Sequence, residues 1–294
     1  MICCKALALV FLILLTPLAW AGEEAVVLTE TVQLQVADGF LAEKEYYRAI
    51  TEYLRFRLLF PNSDRADYAL LQIGKAYLQG GEPERAVQNL QRLRENFPAS
   101  TLSTQSKYLE GLATWKGKKA KEAQGLFEDL VREDPESAYA PRALAAVALI
   151  RLETDNPNGA EEALDLFLSK YPDHPRLEQV RSARRLVGEY QSLPQKSEVL
   201  AGILSGIIPG AGYAYAEEFA TGFMSLGVNG AFIAATWAAF ANGLEAVGIL
   251  AGGVGLPFYI GNIYGSALAA RKWNQAVKGQ ARVPVFAALD FVFD

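Results

Sequence analysis

The sequence has little of the chemistry on which enzymes depend. Its single histidine, His174, lies between Asp173 and Pro175 in a predicted turn, where we expect a solvent-exposed side chain. Its two cysteines, Cys3 and Cys4, both lie near the N-terminus. No nucleophile–histidine arrangement, phosphate-binding loop or cluster of metal ligands is visible. The sequence therefore predicts no catalytic residue, no cofactor and no metal ion, and we expect a protein that is not an enzyme.

Concentrated basic charge is missing as well. The chain has 28 lysine and arginine residues against 33 acidic ones, which gives a formal net charge of −5. A protein that binds nucleic acid is expected to carry a clustered basic face. The composition therefore predicts no nucleic-acid partner.

Residues 1–21 have the pattern of a secretory signal. Lys5 precedes an apolar stretch at 6–15, and Ala19-Trp20-Ala21 is a small-x-small cleavage pattern. The alternative is an uncleaved membrane anchor, although the apolar stretch is shorter than the ~20 residues that a span needs. Cleavage after Ala21 would leave a chain without cysteine, which suits an exported protein.

One pattern recurs four times between residues 31 and 172 at a fixed step of 37. Two columns hold small residues, two hold large apolar residues, and each unit closes on a proline. The small columns are Ala37, Gly74, Gly111, Ala148 and Ala49, Ala86, Ala123, Ala160; the large columns are Tyr53, Leu90, Phe127, Leu164 and Phe56, Leu93, Leu130, Phe167; the prolines are Pro61, Pro98, Pro135 and Pro172. Agreement at all of these positions without an insertion indicates a tandem repeat.

Each unit is interpreted as a pair of helices joined by a turn. Leu90 and Leu93 follow Ala86 by four and seven residues, which places all three on one face of a helix. Facing small residues let two helix axes approach closely, and the final proline ends the second helix. One pair cannot bury its apolar face alone, so the pattern predicts an all-α solenoid whose eight small-column residues form the repeat core.

The pattern resembles the tetratricopeptide repeat over residues 30–172, and the 37-residue step is similar to BamD-like and YbgF-like repeats of the bacterial envelope. The second unit matches best. The third and fourth units depart from it, with Thr114 and Arg151 where the first two have Phe40 and Tyr77. We therefore expect Thr114 and Arg151 to line a surface that binds a partner. The resemblance implies a groove that binds a protein or peptide.

Residues 175–190 are predicted to form a basic helix that caps the solenoid, although a binding role for its arginines remains open. The repeat domain is assigned to residues 22–190, and the polar stretch 191–197 is interpreted as a linker. We expect residues 22–197 to fold independently of residues 198–294.

Charge is nearly absent from much of the region 198–294, which is interpreted as a glycine-rich membrane domain. Residues 219–244 and 246–270 contain no charged residue, and only Glu245 separates them. Each run is long enough to cross a hydrocarbon core of ~30 Å as a helix, so we expect a lipid bilayer as a partner. The alternative is a buried hairpin in a soluble domain.

A glycine-rich break precedes these two runs. The segment 199–216 is apolar but is interrupted at Pro209-Gly210-Ala211-Gly212. It resembles the P-G-x-G-Q-x-Y motif of small bacterial membrane domains, which Pro209, Gly210, Gly212, Tyr215 and Gly222 match. Tyr213 replaces the glutamine of that motif, and Glu217 replaces a glycine. We expect a bent segment against the two spans, with Gly202, Gly206 and Gly210 as a smooth stripe for another helix.

Three functions remain at this point. We favour an exported, membrane-anchored adaptor in envelope assembly or maintenance, with its repeats in the periplasm and its spans in the inner membrane of a Gram-negative bacterium. The alternatives are a small transport or channel component regulated by its repeats, and, least favoured, an enzyme acting on cell-wall or lipid material. Two or three crossings are possible, because Arg271, Lys272, Lys278 and Arg282 follow the last span and basic residues prefer the cytoplasm.

Overall fold

The computed structural model describes residues 28–293, so the predicted signal at 1–21 and its cleavage site lie outside the described residues. All regular secondary structure in this range is helical, which confirms the all-α prediction. The helices are α1 (Glu30–Ala42), α2 (Tyr46–Leu59), α3 (Ala66–Gln79), α4 (Pro83–Asn96), α5 (Ser103–Lys116), α6 (Ala120–Glu133), α7 (Ala140–Glu153), α8 (Pro157–Lys170), α9 (Leu177–Gln191), α10 (Glu198–Ile207), α11 (Ala211–Tyr215), α12 (Phe219–Ala241) and α13 (Glu245–Ala288), followed by a 3-10 turn at Asp290–Phe293.

Helices α1–α8 form the four predicted pairs of a tetratricopeptide-like solenoid. Each helix packs on the next one along the chain, and α9 packs on α8. All eight small-column residues are buried. A Cβ atom at Gly74 would lie 2.6 Å from Leu90 Cγ, and one at Gly111 would lie 2.6 Å from Phe127 Cε1. The large residue of the second helix therefore fills the space that the missing side chain leaves.

The turns repeat as faithfully as the helices. Lys44, Gly81, Lys118 and Asp155 stand at one column of the repeat, and all four have left-handed backbone geometry, with φ between 62° and 82°. Only one of them is glycine, so the turn imposes the conformation even on residues with side chains. At the other end of each unit, the residue before the proline has φ between −125° and −136°, as the proline requires.

The glycine-rich break separates α10 from α11, as predicted. Helix α10 ends at Ile207, and Gly210 adopts φ +88° before α11 begins. Helix α13 lies along the predicted smooth stripe, because Cβ atoms at Gly202 and Gly206 would each lie 3.6 Å from Ile263. At 10 residues, or about 15 Å, α10 is too short to cross a bilayer core.

Two helices, α12 and α13, are long and apolar enough to cross a membrane. The second is longer than the sequence predicts. Instead of ending near residue 270, α13 continues through the basic residues for 44 residues in total, or about 66 Å. Its last turns leave the apolar region and pack against α9 and α7.

The two halves share one buried cluster for this reason, and the independent folding of residues 22–197 stays a prediction. Residues 283–293, here called the C-terminal segment, contribute Val285, Leu289, Phe291 and Val292 to the same buried cluster as α5–α9. The stretch 191–197 does separate α9 from α10 in sequence. It does not separate two bodies in space, because the chain returns to the solenoid after the candidate spans.

The packing predicts that replacing glycine by alanine has opposite effects on the stability of the fold at two positions of the third unit. Gly111→Ala should destabilise the fold, by up to about 1–3 kcal/mol, because the new Cβ overlaps the buried ring of Phe127. Gly125→Ala should stabilise it by about 0.5–1 kcal/mol, because its Cβ meets no atom within 4 Å and alanine favours helix. Urea unfolding of the purified protein followed by circular dichroism measures both. Changes of the same sign would contradict this packing register.

Candidate functional site: the first-helix face of the solenoid

One surface of the solenoid is here called the first-helix face. It is formed by the first helices of the second, third and fourth units, α3, α5 and α7, together with α9. The C-terminal segment lies on this face, where its 3-10 turn packs on α7. Its four core side chains are no more than 2 % exposed. Among residues 28–293, the C-terminal segment is the part of the chain that covers this face.

Polar and aromatic contacts fix the C-terminal segment in place. The Tyr108 hydroxyl on α5 donates a hydrogen bond to the carbonyl oxygen of Val292, deep in the core. The Phe291 ring lies 6.3 Å from the Phe167 ring and 5.9 Å from the His174 ring, measured between centroids. The backbone and a side chain of the segment are thus both engaged.

His174 is not the solvent-exposed turn residue that the sequence predicts. It is half-buried, with its ring edge-on to Phe167 and beside Phe291, and its Nδ1 accepts a hydrogen bond from the backbone N–H of Arg176 at 3.2 Å. Burial, followed by the charges of Arg142 and Arg176, lowers the pKa of His174. The neutral imidazole is the form that fits beside the C-terminal segment.

An ion-paired cluster holds α13 just before the C-terminal segment. Asp155, the left-handed residue in the turn after α7, lies 2.6 Å from Lys278 Nζ and 3.8 Å from Arg282 Nη2. The Tyr190 hydroxyl donates to Asp155 at 2.8 Å and accepts from Arg282 at 3.0 Å. The hydrogen bond from Lys278 is the main cause that lowers the pKa of Asp155. The basic residues Lys278 and Arg282, which follow the apolar run of α13, are thus paired with a carboxylate of the solenoid.

The predicted linker is fastened to α13 as well. The backbone N–H of Lys196 donates to the Asn274 side chain, and the Asn274 amide donates to the Lys196 carbonyl, both at 2.8 Å. Lys196 Nζ lies 2.7 Å from Glu217 and 4.1 Å from the centroid of the Trp273 ring. Arg271 binds both carboxylate oxygens of Glu198. The solenoid is therefore held to the C-terminal domain at two places.

The two residues singled out for partner binding have different environments. Thr114 is only 3 % exposed and its hydroxyl has no hydrogen-bond partner among the described residues, so little of its side chain is open to a partner. Its role in partner binding stays a prediction. At the same column, the first two units have the aromatic rings of Phe40 and Tyr77, which lie beneath Arg48 and Arg85. Thr114 is small enough to be enclosed at this position. Arg151 is partly exposed, and it donates to the Gly159 carbonyl at 2.8 Å and to Glu128 at 3.0 Å. The carbonyls of this column accept the hydrogen bonds that close the repeat turns.

The motif residues around the glycine-rich break are brought together by close backbone packing. A Cβ at Gly210 would lie 2.1 Å from the Gly222 carbonyl oxygen, and one at Gly212 would lie 1.9 Å from the Ala201 carbonyl oxygen. The N–H of Gly210, which follows Pro209, donates to Asn262 at 2.9 Å. The Tyr215 hydroxyl accepts from the N–H of Ser197 at 3.1 Å. The motif thus folds the bent segment.

The two departures from the motif also have structural explanations. Glu217 has φ +66°, a conformation that favours the glycine found in the motif, and its carboxylate pairs with Lys196. Tyr213 lies against α13 where Gly265 makes room, since a Cβ at Gly265 would be 1.9 Å from the Tyr213 hydroxyl. Among the described residues, no group of His, Cys, Asp and Glu is arranged to hold a metal ion.

Comparison with known proteins finds relatives of the repeat region. A family profile described as "YfiO: Outer membrane lipoprotein" matches residues 29–154, which is less than half of the chain. The repeats are similar to this family. The Outer membrane protein assembly factor BamD of Neisseria gonorrhoeae is 25 % identical over 183 residues, covering 56 % of this chain and 67 % of that protein. A tetratricopeptide repeat protein of Parabacteroides merdae is 16 % identical in sequence and superposes with a TM-score of 0.44, over 90 % of this chain and 99 % of that one.

Sequence reasoning missed Asp155, His174 and the C-terminal segment. The apolar stretch 283–293 was visible but had no period that assigned it to a partner. The sequence places the basic residues at 271–282 after the last predicted span, but it gives no sign that Lys278 and Arg282 pair with Asp155 on the solenoid. A left-handed column at the turns is the signal that would have directed attention to Asp155.

The position of His174 predicts that the C-terminal segment loosens on acidification. Because the folded pKa lies below the ordinary value of about 6.5, the docked state takes up fewer protons. The stabilisation of the docked state by neutral His174 is fully present above pH 6.5, and it is lost as the pH falls from there through the lower folded pKa of His174. The rate of chymotryptic cleavage after Phe286 and Phe291 should therefore rise on lowering the pH from 7.5 to 5.5, after correction for the protease's own pH profile.

His174→Asn supplies the matched control, because asparagine does not titrate in this range. In that variant, the corrected cleavage rate should no longer change with pH between 7.5 and 5.5. An equal acid response in the wild type and in the variant would show that other groups control docking.

Proposed function

We propose that the protein is an exported, membrane-anchored adaptor of the bacterial envelope, with its repeats in the periplasm binding a protein partner. One observation carries the proposal: a tetratricopeptide-like solenoid is fastened to α13, which with α12 forms a pair of exposed apolar helices. The similarity of the repeats to outer membrane lipoproteins and to an outer membrane protein assembly factor supports a place in envelope assembly.

The surface of α12 and α13 supports insertion into lipid. Only 11 % and 17 % of the residues in their most apolar stretches are buried, which is unlike the core helix of a soluble protein. Phe223, Trp237, Ile249, Leu250 and Tyr264 are all more than two-thirds exposed. A soluble protein rarely exposes a contiguous apolar surface of this kind. These helices would thus serve as the anchor, since the chain has no cysteine after Cys4 to carry a lipid.

The contacts of α13 bear on the number of crossings. If α12 and α13 both cross, α13 returns to the side of the bilayer on which α12 began. There its end packs on the same solenoid to which α10 is joined. The repeats and the C-terminal segment then lie on one side, which fits two crossings and not three. The basic residues Arg271, Lys278 and Arg282 are tolerated on that side because each is paired with a carboxylate.

A transport function has less support. The polar side chains around Asn262 bond to one another and to the bent backbone: Asn262 accepts from Gly210 N–H and Ser225, and its amide donates to the Ser205 carbonyl. The Oδ1 of Asn229 has no hydrogen-bond partner among the described residues. Asn229 donates to the Ser225 carbonyl one turn earlier. These bonds hold the bent segment against α12 and α13, and the runs 219–244 and 246–270 carry no charge.

Fractionation of cells tests the proposed anchorage and location. The full-length protein should remain in membranes washed with alkaline carbonate, leave with detergent, and sediment with the inner membrane, because helical spans belong there. Protease should reach the repeats once the outer membrane is opened, while the inner membrane is still sealed.

Substitutions on α13 supply the control. Replacing Ile249 and Leu250 by lysine should prevent stable insertion, whereas replacing both by alanine should preserve it. Release of the intact wild-type protein by carbonate would disprove the anchor, and repeats that stay protected until the inner membrane is opened would place them in the cytoplasm.

A further inference from the structure

A composite pocket lies on the first-helix face beside the C-terminal segment. Its volume is about 680 Å³, within the ~300–1,000 Å³ typical of ligand pockets. Leu109, Leu112 and Trp115 of α5 form its apolar floor, and Phe286 and Phe293 of the C-terminal segment form one wall. The Trp115 ring lies 6.1 Å from Phe286 and 5.6 Å from Phe293 between centroids. The pocket therefore exists in full only when the end of α13 is docked.

The rim of this pocket is positively charged. Lys75, Lys116 and Lys118 surround the opening. Lys116 donates to the Leu78 carbonyl at 3.2 Å, while Lys75 and Lys118 have no ion-pair partner among residues 28–293. The acidic residue of the lining, Glu153, already accepts the Trp115 indole N–H at 2.5 Å. The pocket thus joins an apolar floor to two cations that have no ion-pair partner within residues 28–293.

The C-terminal segment, which forms one wall of the pocket, indicates what kind of molecule binds there. The 3-10 turn packs Phe291 and Val292 into the face while Asp290 remains exposed. An apolar peptide that leaves an acidic residue exposed is therefore already accommodated beside the pocket. A second peptide of that kind would place an aromatic or aliphatic side chain on Trp115 and a carboxylate between Lys75 and Lys118.

We propose that this pocket binds an acidic, apolar peptide segment of a protein partner, and that the C-terminal segment completes the site. The proposal rests on the adaptor function and specifies where and what it binds. Since one wall belongs to the last turns of α13, the site couples partner binding to the helix that continues into the apolar domain. Undocking of the C-terminal segment removes Phe286 and Phe293 and opens the pocket to water.

Peptide binding to the detergent-solubilised full-length protein tests this site. The probe is a fluorescein-labelled decapeptide that alternates aspartate with phenylalanine and leucine, measured by fluorescence anisotropy. The wild type should bind it with an affinity that falls steeply between 50 and 500 mM salt. The double variant Lys75→Glu, Lys118→Glu should lose at least tenfold in affinity, and Phe293→Ala should lose several-fold. Lys121→Glu reverses the charge of one lysine outside the pocket and should leave binding unchanged.

Several results would overturn the proposal. They are equal binding by the wild type and the double lysine variant, equal binding of a peptide with asparagine in place of aspartate, and binding of oleate at this pocket without binding of the peptide. Failure of peptide binding in a protein that still resists carbonate extraction would remove the site and leave the anchored location standing. Intact peptide binding by a protein that carbonate releases would keep the site and disprove the anchored location.

Discussion

The docking of the C-terminal segment on the solenoid is the contact on which the rest of the arrangement depends. Val285, Leu289, Phe291 and Val292 complete the core of the last repeats, so the apolar face of α7 is covered by a segment more than 100 residues away in sequence. Burying four such side chains contributes on the order of 1.5–3 kcal/mol each before conformational entropy is subtracted. Because the segment ends the same helix that forms a candidate span, its docking also fixes how the repeats stand relative to that helix.

The repeat turn shows how one backbone requirement can serve different purposes. Every unit needs a left-handed residue after its first helix, and the side chain there projects from the solenoid. In the third unit that residue is Lys118, which stands at the rim of the composite pocket. In the fourth it is Asp155, which binds Lys278 of α13. Since the backbone conformation alone closes the turn, the side chain is free to differ from unit to unit.

Local pattern and long-range pairing explain what the sequence could and could not predict. The small and large columns could be read because helix pairing in a repeat is local, so Gly74 meets Leu90 only 16 residues on. The break at Pro209 was equally readable, since proline and glycine act on their own backbone. The contact between Tyr108 and Val292 spans 184 residues, and no period in the sequence encodes it. The low exposure of Thr114 could not be predicted, because a small hydroxyl residue gives no sequence signal of whether it is enclosed.

Hydrogen exchange of the full-length protein in lipid nanodiscs tests the docking most directly. Mass spectrometry of the peptide covering residues 283–293 reports its amide protection, with peptides from α7 and from the stretch 191–197 as internal references. Amides near Leu289 and Val292, whose N–H groups are hydrogen-bonded within the docked segment, should exchange on the slow timescale of α7. Complete exchange within seconds, while α7 remains protected, would show that the segment is not bound to the solenoid.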